Sequence, residues 1–336
     1  MDTRKIMALG KSSLVVSLPK GWIESNGLNK GDLLSLEVQR DLSLLIQPSL
    51  RVKDEGQRIV VALDESASSD SIFRIVIGCY LNGYNDIVLN SSNIFSVQQQ
   101  QAIRNVVKSL YLRILSSTAS SVTLQTLMNE SMANIFDGIE RMHIITLSMC
   151  HDTLKAMQSW DLELARSVVA LEEDVDQFMF YLMRLIRSAA IDPALANRLH
   201  VDMLDCLDYQ TLVDLIERVA DNVHKVAFSL VQLEEHKEYI PDGLWKKLTE
   251  TANASITAYE KAIEVFHSRS VESCDMIIDE QYKLTQLARS ITPFPNILVG
   301  DPFFFPLFII RDSLIRLGDY ASDIAELTID KAYKPE

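Results

Sequence analysis

Acidic side chains recur at one-turn spacing on three segments of helical period. Glu217 and Asp221 lie with His224 in one, Glu173 and Asp176 in a second, and Asp312, Asp319, Asp323 and Glu326 in a third. At about 100° per residue, each set falls away from its segment's apolar stripe, for example Ile216, Val219, Val223 and Val226. Like charges one turn apart repel by about 0.2–0.5 kcal/mol per pair. A bound divalent or trivalent ion (Mg, Mn, iron or Zn) would convert that repulsion into affinity. The plainer alternative is a solvated acidic face, with His224 a surface histidine. Other catalytic patterns are missing from the sequence: there is no HExxH pair, no nucleophile elbow and no Rossmann glycine fingerprint. Gly10-Lys11-Ser12 resembles the end of a P-loop, but its first glycine would stand at residue 5, which is Lys5. The chain is therefore expected not to be an enzyme. A carboxylate-metal hydrolase would need an enclosed pocket, and these acids are expected on convex faces. Few arginines are expected beside the acids, so a bare phosphate pocket is not expected there.

A second group of side chains suits contact with nucleic acid. Residues 1 to 48 carry Arg4, Lys5, Lys11, Lys20, Lys30 and Arg40 against Asp2, Glu24, Asp32, Glu37 and Asp41, a net of +1. The whole chain has a formal charge of -14. That balance argues against indiscriminate coating of nucleic acid, whose affinity comes mostly from phosphate neutralisation. A near-neutral head on an acidic body remains compatible with local, specific contact.

These groups must be held by several domains, because 336 residues exceed one compact core and 48% hydrophobic residues can fill more than one. The fold class expected is mainly α: an N-terminal β module, a small α/β segment, then two three-helix bundles. The domains expected are 1–48, 49–130 and 131–336, the last dividing into repeats 131–236 and 242–330. In the first, Leu14/Val16/Leu18, Leu34/Leu36/Val38 and Leu44/Ile46 alternate as strands do, around a short helix from Pro19 to Gly27. So small a module buries too little surface to be stable alone, which predicts partner strands from a second copy. In the α/β segment the predicted strands are 59–63, 87–89 and 121–127, with helices at 69–81 and 98–115. The glutamines at 98–101 are expected on a solvated face. Six helices follow, at 131–159, 161–189, 203–236, 242–267, 271–291 and 306–330, whose seams alternate steps of three and four. Their order repeats a three-helix unit. The longest apolar run, near Phe303–Ile310, is broken by Pro306 and is too short to span a bilayer, and the first residues lack a signal-peptide core. The four cysteines, more than fifty residues apart, read as free packed thiols. A cytoplasmic protein without membrane insertion is expected.

Two resemblances add to this reading. The strings from Leu215 to Asn222 (LIERVADN) and Leu314 to Ala321 (LIRLGDYA), with Leu171 to Phe178 (LEEDVDQF), resemble the duplicated motif of the PhoU family. That implies paired three-helix bundles with metal clusters on E/DxxxD acids, carrying Glu217 and Asp221 into the first site and Asp319 into the second. Ile315 stands where the second motif's first acid is expected, leaving Asp319 and Asp323 as a shifted pair. The run "SLPK", then "GLNKGD", is similar to the SpoVT/AbrB swapped-hairpin family, which implies an intertwined homodimer. The resemblance places Arg4, Lys5, Lys11 and Lys20 at DNA phosphates and Ser12 and Ser13 near bases. Together the two resemble archaeal-type phosphate uptake regulators: a DNA-binding, promoter-directed transcriptional regulator, or alternatively one that acts by contact with the phosphate transporter ATPase or signalling partners.

Overall fold

The computed structural model describes residues 3–10, 13–38, 42–48, 57–64, 66–128, 134–292, 294 and 297–335. The chain divides into two compact units, Met1–Gly56 and Gln57–Glu336.

The first unit consists of two separate ribbons. Strand β1 (Met7–Leu9) pairs antiparallel with β2 (Ser13–Val15), and β3 (Leu34–Val38) with β4 (Leu44–Pro48). Between them helix α1 (Lys20–Ser25) starts behind Pro19, and Leu28 N–H closes onto Ile23 O at 3.0 Å across Gly27, whose φ of +63° suits glycine. Asn29 N–H on the Asp32 carboxylate at 2.7 Å then fixes the turn into β3. Among the described residues of the two ribbons and α1, none is buried; Leu14, Leu36 and Val38 are 73%, 62% and 67% exposed. Two-stranded ribbons with uncovered apolar faces are not stable in water by themselves.

The second unit opens with β5 (Arg58–Leu63), α2 (Ser69–Leu81), β6 (Asp86–Ser91), α3 (Val97–Ser109), β7 (Leu112–Ser117) and β8 (Ser121–Thr126). The sheet order is β5-β6-β8-β7, with β5 and β6 parallel and the other pairs antiparallel. The predicted helix 98–115 is corrected here. It ends at Ser109, Tyr111 adopts φ +49°, and Leu112–Ser117 pairs with β8 instead. In the glutamine run Gln98, Gln100 and Gln101 are exposed as expected, and the correction falls on Gln99 alone. Gln99 is buried, its carbonyl oxygen accepts from Ser96 N–H while Ser96 Oγ accepts from Gln99 N–H, and its amide donates to Ala67 O. That capping box spends the glutamine on starting the helix.

The long helices are α4 (Ile135–Ser159), α5 (Leu162–Ile191), α7 (Met203–Gln232), α8 (Asp242–Ser268), α9 (Val271–Arg289) and α10 (Phe304–Ala332), with a short α6 (Pro193–Arg198) between α5 and α7. The predicted six-helix order is present. Asn134 caps α4 by accepting from Phe136 and Asp137 N–H. On α10 the residues at alternating steps of three and four, Leu307, Ile310, Leu314, Leu317, Ala321 and Ile324, are fully buried. Lys334 binds Asp202 and Asp205, each at 2.7 Å, and so pins the chain beyond α10 to the start of α7. Among the described residues no helix is long and apolar enough to cross a membrane, and all four cysteines are free and buried.

Candidate functional site

On the first three-helix unit, α5 and α7 bring Asp176, Glu217 and Asp221 together. Glu217 is pushed up to about 7, first by burial and then by repulsion from Asp221, Asp176 and Asp214, with Arg218 acting the other way. Asp176 is pushed up to about 6 by burial, followed by Glu172, Asp221 and Glu173. Glu173 itself is exposed. His224 is half-buried, with Nδ1 3.8 Å from Glu172 Oε2. Glu172 and Asp214 were not singled out in the sequence, although each stands within four residues of a predicted acid. Lys225 Nζ lies 3.4 Å from Asp221. Carboxylates that repel one another in partial burial have the donor chemistry of a hard-cation site. Among the described residues, however, no three His, Cys, Asp or Glu side chains are arranged to hold a metal ion.

The electrostatics set a pH dependence. Both folded-state pKa values are raised, so between about pH 4 and 7 the folded chain holds more protons than the unfolded one, and this contribution weakens stability as pH rises through that window. In chelator-treated protein, Glu217→Gln is expected to raise stability by about 1 kcal/mol at pH 8, after allowance for solvent screening, and to have little effect at pH 5. Thermal melts of variant and parent at the two pH values check this; an equal or lower melting temperature for the variant at pH 8 contradicts it.

The second unit is arranged differently. The Asp319 carboxylate accepts from the Gln281 amide of α9, which also donates to Thr285 Oγ1 at 3.2 Å. Gln281 reaches it across Gly318, where an added Cβ would lie 2.2 Å from Gln281 Oε1. A neutral amide therefore occupies a coordination direction of Asp319. Asp323 is shifted upward by partial burial, then by Glu326 and Asp319. Asp312 is held by Arg316 Nε at 3.0 Å, and Ile315 lies half-buried between the acids. Residues of this second face fit a cation less well than those of the first. Few arginines are expected beside the acids, and two are found there: Arg218 and Arg316 line one groove with Lys225, Asp221 and Asp312.

In the first unit, Arg4 and Lys5 are exposed just ahead of β1, and Ser13 begins β2. Gly10, at φ +71°, leads into the turn; Lys11 and Ser12 lie outside the described residues. Lys20 opens α1, 90% exposed, with Glu24 at 3.5 Å. Arg4, Lys5 and Ser13 are thus carried by the β1–β2 ribbon.

Comparison with known proteins follows this division. Residues 139–230, from α4 to the end of α7, match the family described as PhoU domain. The helical body carries a PhoU domain. Residues 7–61 match the family described as antidote-toxin recognition MazE, bacterial antitoxin, so the PhoU domain is fused to a MazE/AbrB-like module. The crystal structure of PhoU from Pseudomonas aeruginosa aligns with 58% of this chain and 93% of its own, at 18% identity and a TM-score of 0.50, a likeness of fold. The phosphate transport system regulatory protein PhoU from Streptococcus pneumoniae aligns with 58% of this chain and 91% of its own, at 16% identity and a TM-score of 0.46. No curated protein matches the chain. The matched PhoU segment contains Asp176, Glu217 and Asp221 and stops before Gln281 and Asp319.

Proposed function

We propose that this chain is a regulator of phosphate transport that acts as a homodimeric, promoter-binding transcription factor. The observation that carries the reading is the joining, in one chain, of a PhoU domain to a MazE/AbrB-like module whose strands expose their apolar faces. A second copy would cover those faces. The ribbons would then present two sets of Arg4, Lys5, Lys11 and Lys20 to phosphates, with Ser12 and Ser13 near base edges. The MazE family's description names toxin recognition; the acidic PhoU body, absent from that description, favours phosphate control instead. The PhoU domain is the sensing part in this reading. Asp176, Glu217 and Asp221 would hold a divalent or trivalent ion there, with Glu172, Glu173 and His224 alongside. The ion would supply positive charge to three mutually repelling carboxylates. Asp319 and Asp323 are the weaker candidates.

A second reading, control by contact with a transporter ATPase, is favoured by the exposed apolar cluster of Leu298, Val299, Phe305 and Phe308 around the start of α10. A pull-down of genomic DNA fragments separates the two. Full-length protein is expected to enrich phosphate-transport promoters, and a chain lacking residues 1–56 is expected to enrich none. Absence of enrichment by the full chain at low salt would remove the transcriptional reading.

A further inference from the structure

Between α7 and α10 an open groove of about 400 Å³ is walled by Arg218, Asp221 and Lys225 on one side and by Asp312, Arg316 and Tyr320 on the other. Three cations and two acids line it, with Asp214 beside Arg218 as a third acid, on a chain of net charge -14. Each cation is paired one turn back on its own helix: Arg218 with Asp214 at 2.9 Å, Lys225 with Asp221 at 3.4 Å and Arg316 with Asp312 at 3.0 Å. Both guanidiniums make these pairs through Nε, so the pairs leave the terminal nitrogens out. The cationic side chains are about half exposed, at 52%, 51% and 56%. Exposed pairs of this spacing are weak and screened by salt, whereas a guanidinium fork on an oxyanion is charge-assisted and bidentate. The carboxylates at Nε hold the forks side-on. Tyr320 supplies another polar group at the wall.

We infer that this groove binds a tetrahedral phosphate group, gripped from opposite walls by Arg218 and Arg316 and neutralised further by Lys225. The group belongs either to inorganic phosphate or to a nucleotide, for whose base the exposed Phe308 and Ile309 at the groove offer an apolar face. That such a ligand is what the protein senses rests on the regulatory reading above; the binding itself does not.

Calorimetric titration of the full-length, chelator-treated protein with inorganic phosphate, AMP and adenosine tests the inference. Phosphate or AMP is expected to bind with a Kd below about 1 mM, weakening roughly tenfold or more in an Arg218→Ala, Arg316→Ala double variant. Both substitutions are on exposed side chains, so an unchanged thermal melt will show that the variant is folded. AMP binding more tightly than phosphate, with adenosine silent, identifies a nucleotide; equal binding identifies inorganic phosphate. The inference is overturned if neither binds below about 10 mM, or if the double variant binds as the parent does. Promoter enrichment by the parent protein is scored separately, so loss of one result leaves the other standing.

Discussion

Arg184→Ala is expected to destabilise the second unit by about 3–5 kcal/mol, because it leaves several buried neutral acceptors unpaired at about 1–3 kcal/mol each. Arg184 lies on α5 and is 1% exposed. Its Nη1 donates to Tyr80 O at 2.6 Å and Tyr84 O at 2.9 Å, and its Nη2 to Gly83 O at 3.1 Å and Asn85 Oδ1 at 3.0 Å. The guanidinium carbon also sits 4.9 Å from the centre of the Tyr80 ring. None of those four acceptors is a carboxylate. They are the carbonyl end of α2 and the turn after it, where the helix's own hydrogen bonds run out and its dipole favours a cation. Arg187, one turn away from the fork's root, adds Leu81 O at 3.1 Å and Asn82 Oδ1 at 2.9 Å. The two arginines thereby weld the α/β segment to the helical body. Alanine would strand several acceptors at once; lysine would keep the charge but lose the planar fork. The measurement is a denaturant melt combined with amide exchange. Faster exchange is expected in residues 69–91, with α8 to α10 little changed. A variant as stable as the parent would show that the fork carries no weight.

The second large effect is expected on association. Leu14→Asp with Leu36→Asp places charges on ribbon faces whose apolar side chains have no cover within the described chain. If a second copy supplies that cover, each buried charge costs several kcal/mol and the dimer should weaken by at least about 100-fold. Light scattering on the full-length chain is expected to give twice the monomer mass for the parent and a single mass for the variant at micromolar concentration. A monomeric parent, or a variant that remains dimeric, contradicts the role given to these faces.

How legible this was in the sequence depended on the range of the interaction. The seam of α10 follows from spacing alone because one strip of one helix sets it. Helix 69–81 was similarly readable, bounded by Ser68 as cap and Gly83 at φ +84°. The segment after Ser109 misled because Leu110, Leu112 and Ile114 alternate as a strand while still extending a helical stripe; pairing with β8 decides between them. Asp176, Glu217 and Asp221 follow from one-turn spacing within each helix, and their meeting needs the packing of α5 on α7. Gln281 on Asp319 joins side chains 38 residues apart on crossing helices, and no local pattern announces it. The Arg184 fork was hidden for a further reason. Its acceptors are mostly backbone carbonyls about 100 residues away, and backbone carbonyls leave no mark in a sequence.

The MazE/AbrB-like module is proposed to bring the PhoU domain to DNA. The most direct test of that proposal is the affinity of the purified chain for a recovered promoter fragment at increasing salt, repeated with Arg4→Ala, Lys5→Ala protein. A specific complex whose log affinity falls linearly with log salt is expected, with a slope shallower by about 3–4 in the double variant, since two phosphate contacts are lost from each of two copies. A parent that binds promoter and random DNA equally weakly, or a slope that the substitutions leave unchanged, would contradict the account.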